Sequence, residues 1–554
     1  MKEIYPTREA IPGDYLVRPE WQPDFVWDAE IARLDKEVFN VASASVDIWC
    51  SKGFSNKVAV IDVVNNTNIT YGDLKRMSDA LAVSLVEIGA NTGDRICLRY
   101  RNSYMAIVAV LGIWKAGCAV VPIPQQARRS EIEFYIQDTG AKYVIVDDDN
   151  ADLIGELMEA LPACSSVKDV IVGNRDPNGA GLNLEKLVKR EQVHTEVLPK
   201  TSANDLATVW HTGGTTGRPK ATYHTHRRWY AAGYTLGKAW NIGPDDRWIY
   251  AIPVGNVAGL LGRFICILQH GATLVELPRF KGEDLFAAIM DNDVTHVLAI
   301  PVTLDELDRV DTSHELENSR LQHVYAPFLV TGVGDLYERW AARGYQLANP
   351  LGSSIICNWF IGPIYGQIIP AFALGKPAPG YDVRIVSDEG NSVNELPAGE
   401  VGRIAVKGPT GLTYWNRPEL QMKEVIDGWT ITDDLGKKDK DGIIWFMGRL
   451  NNLVVTAGYK VVPGEVEEVL LKHQAVREVC VVGLPDPLRE QVVTAFVVLN
   501  SGYNPSDSMA EELQAWCKKS LAPYKYPRRV CFLDHLPRDP VGKVQIRQLV
   551  QQVS

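Results

Sequence analysis

The sequence is short of positive charge, of paired cysteines and of long apolar runs, and each shortage removes a class of function. Lysine and arginine number 57 against 68 aspartates and glutamates, a formal net charge of −11. A nucleic-acid surface needs a basic footprint, so this balance argues against a nucleic-acid partner. Nine cysteines are scattered with no Cys-x-x-Cys pair, and the count is odd. That pattern argues against a disulfide scaffold or a zinc cluster and fits a reduced, cytoplasmic protein. The apolar run from Met105 to Trp114 is too short to span a bilayer and reads as a core helix, so no transmembrane segment is expected. The opening residues Met1-Lys2-Glu3-Ile4-Tyr5-Pro6 contain no apolar core of signal-peptide length. No short-period repeat is visible. A chain of 554 residues has room for about three to four domain-sized units.

What the chain does have is the stretch Thr212-Gly213-Gly214-Thr215-Thr216-Gly217-Arg218-Pro219-Lys220. It follows Ala207-Thr208-Val209-Trp210, which reads as a buried strand. Its glycines let backbone N–H groups approach a ligand, the threonines add hydroxyl donors, and Arg218 and Lys220 add charge. Anionic oxygens suit such a loop. It is not a Walker A loop, because no Gly-Lys-Ser/Thr closes it and Pro219 separates Lys220 from Gly217.

On either side of this loop, strands alternate with helices. Residues 1–50 show no clear period and read as a segment wrapping the core. From Val58 onwards a strand is followed by a helix capped by Thr70, with Leu74, Met77, Leu81, Leu85 and Ile88 on one face. Strands are expected at Arg95–Tyr100, Ala119–Ile123 and Tyr143–Asp147, and Gly117 is a good stop for the apolar helix. After the loop, strands at Trp248–Pro253, Ala272–Leu277 and Val294–Ile300 alternate with helical stretches. This pattern predicts parallel, doubly wound sheets in two successive α/β units, before and after the loop. From Gly375 short strands at Asp382–Val386 and Gly402–Lys407 suggest a small β subdomain. Beyond Arg449 come a helix opening at Val461–Glu467, strands at Val479–Val482, Val492–Val498 and Arg528–Leu533, and an amphipathic helix from Met509 to Lys519. The fold class is therefore α/β: a large N-terminal domain, residues 1–449, of two doubly wound subdomains and a small β subdomain. A smaller α+β domain, residues 450–554, is joined through the polar Leu450-Asn451-Asn452.

Four segments occur in order: the Gly/Thr loop, Gly428-Trp429-Thr430-Ile431-Thr432-Asp433-Asp434, Gly448-Arg449, and Pro540-Val541-Gly542-Lys543. Together they resemble the adenylate-forming superfamily of acyl-CoA synthetases, aryl-acid ligases and luciferases. Leu521-Ala522-Pro523-Tyr524-Lys525-Tyr526-Pro527 and Gly375-Lys376-Pro377-Ala378-Pro379-Gly380-Tyr381 are most similar to the benzoate, aminobenzoate and medium-chain acyl-CoA ligases. The resemblance implies a two-step reaction. A carboxylate attacks the α-phosphate of ATP to give acyl-adenylate and pyrophosphate; the C-terminal domain then rotates, and the thiol of CoA displaces AMP.

Displacement at phosphorus needs positioning and charge neutralisation more than a nucleophilic side chain. The resemblance puts Thr212, Gly213, Gly214, Thr215, Thr216, Gly217 and Lys220 at the ATP phosphates, with Gly213 where the family usually has serine. Lys543, on a mobile lid, is the catalytic cation that reaches the carboxylate and the α-phosphate. Asp434 accepts from the ribose hydroxyls and Arg449 contacts the same sugar, although Asp433 replaces the usual glycine beside it. Val333, Gly334 and Asp335 lie along the adenine. Asn451 occupies the hinge, and Gly458 lines the CoA path. Asn256 and Gly352 border the acyl pocket. His224 and His226 read as structural, since their spacing alone makes no metal site.

The departure that matters lies at Leu351-Gly352-Ser353-Ser354-Ile355. The family carries a threonine and a Mg²⁺-ligating glutamate there. Ser354 supplies the hydroxyl and is a candidate catalytic residue, but Ile355 cannot bind a metal, so Mg²⁺ ligation is expected to be weakened or lost. Three readings stay open: a complete acid–CoA ligase for an aromatic or bulky apolar acid; an enzyme specialised for one half-reaction, from a supplied acyl-adenylate or onto a carrier protein; and a non-enzymatic nucleotide-binding homologue. Expected partners are the carboxylic acid or its adenylate, ATP and CoA. Homodimerisation is common in the class.

Overall fold

The computed structural model describes residues 17–36, 38–63, 65–147, 151–173, 182–212, 219–277, 279–327, 334–345, 347–387, 393–456, 459–486, 489–521, 523–538 and 544–553. Two seven-stranded sheets form its body. The first runs in the spatial order Leu182–Asn183, Asp169–Val172, Tyr143–Val146, Arg95–Arg99, Ala119–Pro122, Leu206–Thr212, Lys220–Thr225, and only its last pair is antiparallel. The second runs Leu347–Ala348, His323–Tyr325, His296–Ala299, Arg247–Ala251, Thr273–Glu276, Val58–Asp62, Thr67–Thr70.

The alternation of side chains along each strand sorts the apolar residues into separate layers. Ile96 and Leu98 of the first sheet share one core with Trp248 and Tyr250 of the second, and with the helices Tyr71–Glu87, Tyr104–Lys115 and His226–Trp240. The intervening Cys97 faces a second core, and the intervening Ile249 a third. The helix Tyr104–Lys115 is buried from Met105 to Lys115 because it sits in that middle layer, which accounts for its being apolar all round. It crosses Tyr71–Glu87 closely: a Cβ on Gly112 would lie 2.7 Å from Leu81. The Thr70 cap is a full capping box with Asp73, and Gly117 stops the next helix at φ 73°.

One expectation needs correcting. Val58–Asp62 precedes the Gly/Thr loop, yet it belongs to the second sheet, pairing in parallel with Thr273–Glu276. The two sheets are therefore not divided by the loop in chain order. Hydrophobic period fixes which residues face a core but not which sheet a strand joins.

The described part of the N-terminal segment, from residue 17 onwards, packs against the body; residues 1–16 lie outside the described residues. Phe25 and Trp27 stack at 5.8 Å, and the buried guanidinium groups of Arg228 and Arg227 cover their rings at 4.4 and 4.0 Å. The amides of Asp24 and Val26 donate to Gly428 and Gly408. Those glycines belong to the small β region, where Asp382–Val386, Val401–Lys407, Trp429–Lys438, Val425–Ile426 and Ile444–Arg449 form one sheet. After the turn Leu450–Asn452, a further five-stranded sheet carries two cores of its own, with the helices Pro463–Leu471 and Asp507–Ser520 packed on the first of them.

Candidate active site

The two feet of the Gly/Thr loop are fixed. Thr212 pairs with Lys220 across the antiparallel strands, and the Thr212 hydroxyl donates to the Lys220 carbonyl at 3.1 Å. Ala207, Thr208, Val209 and Trp210 are fully buried, which anchors the first strand. Gly213, Gly214, Thr215, Thr216 and Gly217 lie outside the described residues.

Each foot is also gripped from the side. The His211 ring, against Phe134 and Tyr135, places Nε2 3.0 Å from the Asp138 carboxylate. The other Asp138 oxygen accepts from Arg417 at 2.7 Å. Burial pulls the imidazole pKa down while Asp138 works against it. Burial would raise the Asp138 pKa, but His211 and Arg417 together hold it below its ordinary value. At the other foot, Lys220 Nζ stands 3.6 Å from Glu424 Oε1, and the Tyr414 hydroxyl donates to Glu424 Oε2 at 2.6 Å. None of Asp138, Tyr414, Arg417 or Glu424 was singled out in the sequence. Their contacts join distant parts of the chain, and the only local cue is the aromatic pair Tyr414-Trp415 before Asn416-Arg417-Pro418.

Ser354 comes to the same hairpin. Trp210 Nε1 donates to the Ser354 carbonyl at 3.1 Å, tying the Ser354 turn to the strand that carries Thr212. The turn closes through the Ile356 and Cys357 amides, which both donate to the Ser353 carbonyl. Ile355 packs, partly buried, against the largest core. It offers no oxygen, and among the described residues no group of three or more His, Cys, Asp or Glu could hold a metal ion. His224 is fully buried beside Trp210, with ring centroids 4.7 Å apart. Burial holds its pKa well below the ordinary value, with Arg228 acting in the same direction and the Ser354 backbone opposing. His226 Nδ1 accepts from the Val41 amide, and burial lowers its pKa to about 4. Both are core histidines.

Asp434 and Arg449 face each other directly across Trp429–Lys438 and Ile444–Arg449. Arg449 Nε donates to Asp434 Oδ1 at 3.0 Å, with the carboxylate side chain 8% exposed and the guanidinium side chain 40% exposed. Asp433, on the alternate face of the same strand, points instead toward Arg403 at 3.4 Å. Of the two neighbouring carboxylates, it is Asp434 that shares a position with Arg449.

The acyl-pocket candidates have structural partners. A Cβ on Gly352 would lie 2.5 Å from the Trp359 indole, whose Nε1 donates to the Tyr250 hydroxyl. Asn256 caps the helix Val257–Leu261, accepting from the Ala258 amide at 2.9 Å. Gly334 and Asp335 open the helix Gly334–Ala342, and Asn451 lies in the turn Leu450–Asn452. Val333, Gly458 and Lys543 lie outside the described residues. No helix among the described residues is long and apolar enough to cross a membrane.

Comparison with known proteins identifies the family. The AMP-binding enzyme family model matches residues 48–415, and the model of the AMP-binding enzyme C-terminal domain matches 465–543. The human protein acyl-coenzyme A synthetase ACSM5, mitochondrial, is 30% identical over 94% of this chain and 91% of its own. Among solved structures, a benzoate CoA ligase from Burkholderia xenovorans LB400 aligns with TM-score 0.79 and 26% identity, over 92% of this chain and 99% of that one. The anthranilate CoA ligase AuaEII in complex with anthranoyl-AMP shares the fold, with TM-score 0.81 and 23% identity over 93% of this chain and 98% of that one. With both modules matched in order along the chain, it belongs to the AMP-binding enzyme family and is an AMP-forming acid–thiol ligase of the acyl-CoA synthetase type.

Proposed function

We propose that this ligase activates a carboxylic acid bearing an aromatic or bulky apolar group and transfers it to CoA. The acid's carboxylate attacks the α-phosphate of ATP, the bond to pyrophosphate breaks, and acyl-adenylate forms; the CoA thiol then displaces AMP to give the thioester. The observation that carries the reading is the Asp434–Arg449 pair. A nearly buried carboxylate, oriented by a cross-strand arginine that is itself partly open to solvent, suits a vicinal diol such as ribose. The Thr212–Lys220 hairpin and the Ser354 turn, tied together through Trp210, support phosphate binding on the same body. In this reading Gly213 to Gly217 hold the outer phosphates, Val333, Gly334 and Asp335 flank the adenine, and Lys543 neutralises the reacting oxygens. Residues 1–449 form the body and 450–554 the lid, with Asn451 as hinge and Gly458 on the CoA path. A cytoplasmic location and a homodimeric state go with the same reading.

A second reading is favoured by one observation. Ile355 places an apolar side chain against the core where the resemblance calls for a Mg²⁺ ligand. Only the first half-reaction handles the outer phosphates and their counterion, so the loss falls on adenylation and spares thioester formation. Loss of one well-placed electrostatic group costs on the order of 10²–10³ in rate.

Two parallel assays separate the readings: a panel of acids with ATP and CoA, and synthetic acyl-adenylates with CoA alone. Thioester from both at comparable rates is the outcome expected of a complete ligase. Thioester from the adenylate at a rate 100-fold or more above the acid and ATP assay would establish the half-reaction enzyme. Nucleotide binding with no thioester from either would overturn both.

A further inference from the structure

The strand that carries Asp434 is irregular where Asp434 sits. Between the paired positions Ala405↔Ile431 and Arg403↔Leu435, the strand Val401–Lys407 has one residue, Ile404, while Trp429–Lys438 has three, Thr432, Asp433 and Asp434. Residues in such a bulge lose ladder partners, and the pleat no longer sets the direction of their side chains. Asp434 still faces Arg449 on its other side. Toward Val401–Lys407 the ladder does not hold it.

Two side chains take the ladder's place. The buried Thr432 hydroxyl donates to the Ile404 carbonyl at 2.9 Å and accepts from the Asp434 amide at 3.2 Å. Arg403 Nε donates to the Thr432 carbonyl at 3.0 Å, and its Nη2 to Asp433 Oδ1 at 3.4 Å. A guanidinium can grip a carbonyl and a carboxylate together because its donors form a rigid fork. The Arg403 side chain is 15% exposed against 45% for Asp433, so the cation reaches the bulge from the protein side. Asp433 stands where the resemblance calls for glycine, which offers no side chain for such a tether.

We infer that Arg403 is a positioning residue for nucleotide binding: by gripping the Thr432 carbonyl and the Asp433 carboxylate it fixes the bulge, and with it the direction in which Asp434 accepts from the ribose hydroxyls. Once the bulge is released, the Asp434 carboxylate spends part of its time misaligned, and its bonds to the sugar weaken by that fraction. Contacts to the base and the α-phosphate are left as they are. The inference rests on the reading of Asp434 as the ribose acceptor.

The test is isothermal titration of the full-length protein with AMP and with 2′,3′-dideoxy-AMP, which lacks both hydroxyls. The unmodified protein is expected to bind AMP about ten- to hundredfold more tightly than the dideoxy compound. Arg403→Met should weaken AMP about three- to tenfold and leave 2′,3′-dideoxy-AMP unchanged, so that the ratio contracts. Arg403→Lys, which keeps a donor for one of the two partners, should recover part of it. A loss of general stability would instead weaken both nucleotides alike. Asp433→Ala cuts the tether at its exposed end and should contract the ratio in the same direction by about twofold; it decides the question if Arg403→Met does not fold. Added to Arg403→Met it should change little, because the tether is already gone. Equal weakening of both nucleotides, or an unchanged ratio in a folded variant, overturns the inference. If the unmodified protein does not distinguish AMP from 2′,3′-dideoxy-AMP, the ribose reading of Asp434 is what has failed.

Discussion

Arg263 follows the segment assigned to the acyl pocket, and the direction of its side chain decides whether a cation faces the substrate. It is fully buried and paired side-on with Glu276, Nε to Oε2 at 2.7 Å and Nη2 to Oε1 at 2.6 Å. Its Nη1 donates to the carbonyls of Ile252 and Gly259. The cation therefore braces the turn from Arg247–Ala251 into the helix Val257–Leu261, and it has little donor capacity left for an acid. Arg263→Met strands a buried carboxylate and should lower stability by about 3–5 kcal/mol, read as a fall in the denaturation midpoint. Adding Glu276→Leu should restore much of the loss. A stable Arg263→Met enzyme with an altered acid preference would instead make Arg263 a pocket residue. At this scale, what the sequence exposes and what it hides follow from distance along the chain. Asp434 and Arg449 are both visible because each sits in a short motif, and the strand pairing only adds that they meet. His211, Asp138 and Arg417 are invisible as a group, since His211 and Arg417 lie 73 and 279 residues from Asp138, and no local pattern encodes such a meeting.

Helices and strands are more legible than contacts, because burial imposes a period on each of them. The helix at Tyr71–Glu87, its cap and its buried face all follow from the sequence, as do the central strands of both large sheets to within a few residues, while Thr67–Thr70, Asp169–Val172, Leu182–Asn183, Lys220–Thr225, His323–Tyr325 and Leu347–Ala348 do not. The short strands Leu351–Ser353 and Asn358–Gly362 also lie outside the sequence-based expectations: Gly352 and Ser353 carry no strand period, and the apolar run Trp359-Phe360-Ile361 is too short to separate strand from helix. Which sheet receives Val58–Asp62 was also hidden, being a matter of topology. The helix Pro463–Leu471 carries a further element-scale feature, Glu467, which is 8% exposed. Its Oε1 accepts from the Val481 amide on the adjoining strand at 2.8 Å. Burial pushes the carboxyl up to about 7 from an ordinary 4.5, against the pull of that amide. The folded state thus holds this proton more tightly than the unfolded chain does. The stability contributed is full below about pH 4.5 and is lost as pH rises through about 7. Glu467→Gln removes the titration, so its stability relative to the unmodified protein should climb between pH 5 and pH 8. Unfolding midpoints measured across that range check it; a pH-independent difference would show that Glu467 titrates as an ordinary surface carboxylate.

For the whole molecule, the decisive contact is the one between the body and the C-terminal module. The place where the module rests is not legible in the sequence, because it depends on the fit of two surfaces formed separately. That fit is close at one point. A Cβ on Gly464, at the start of Pro463–Leu471, would lie 2.4 Å from the Met447 carbonyl oxygen on Ile444–Arg449. Both partners are backbone, so neither yields cheaply. Beside it Lys437 donates to Glu468 at 2.7 Å; burial would raise the Glu468 pKa, but Lys437 and Lys472 outweigh it and hold the carboxylate charged. If the module serves adenylation and thioester formation in two different orientations, this contact belongs to one of them and must open in the other. Gly464→Ala should then exclude the present orientation by wedging the helix off the strand. The half-reaction that uses it should fall by about tenfold or more while the other stays within about twofold. Pyrophosphate release from acid plus ATP, and thioester release from acyl-adenylate plus CoA, read the two separately. Lys437→Met, which removes only the ion pair, should push the same way by a smaller factor. Equal losses in both assays would mean that the module works from a single resting place, and that the joint at Asn451 is a connection rather than a hinge.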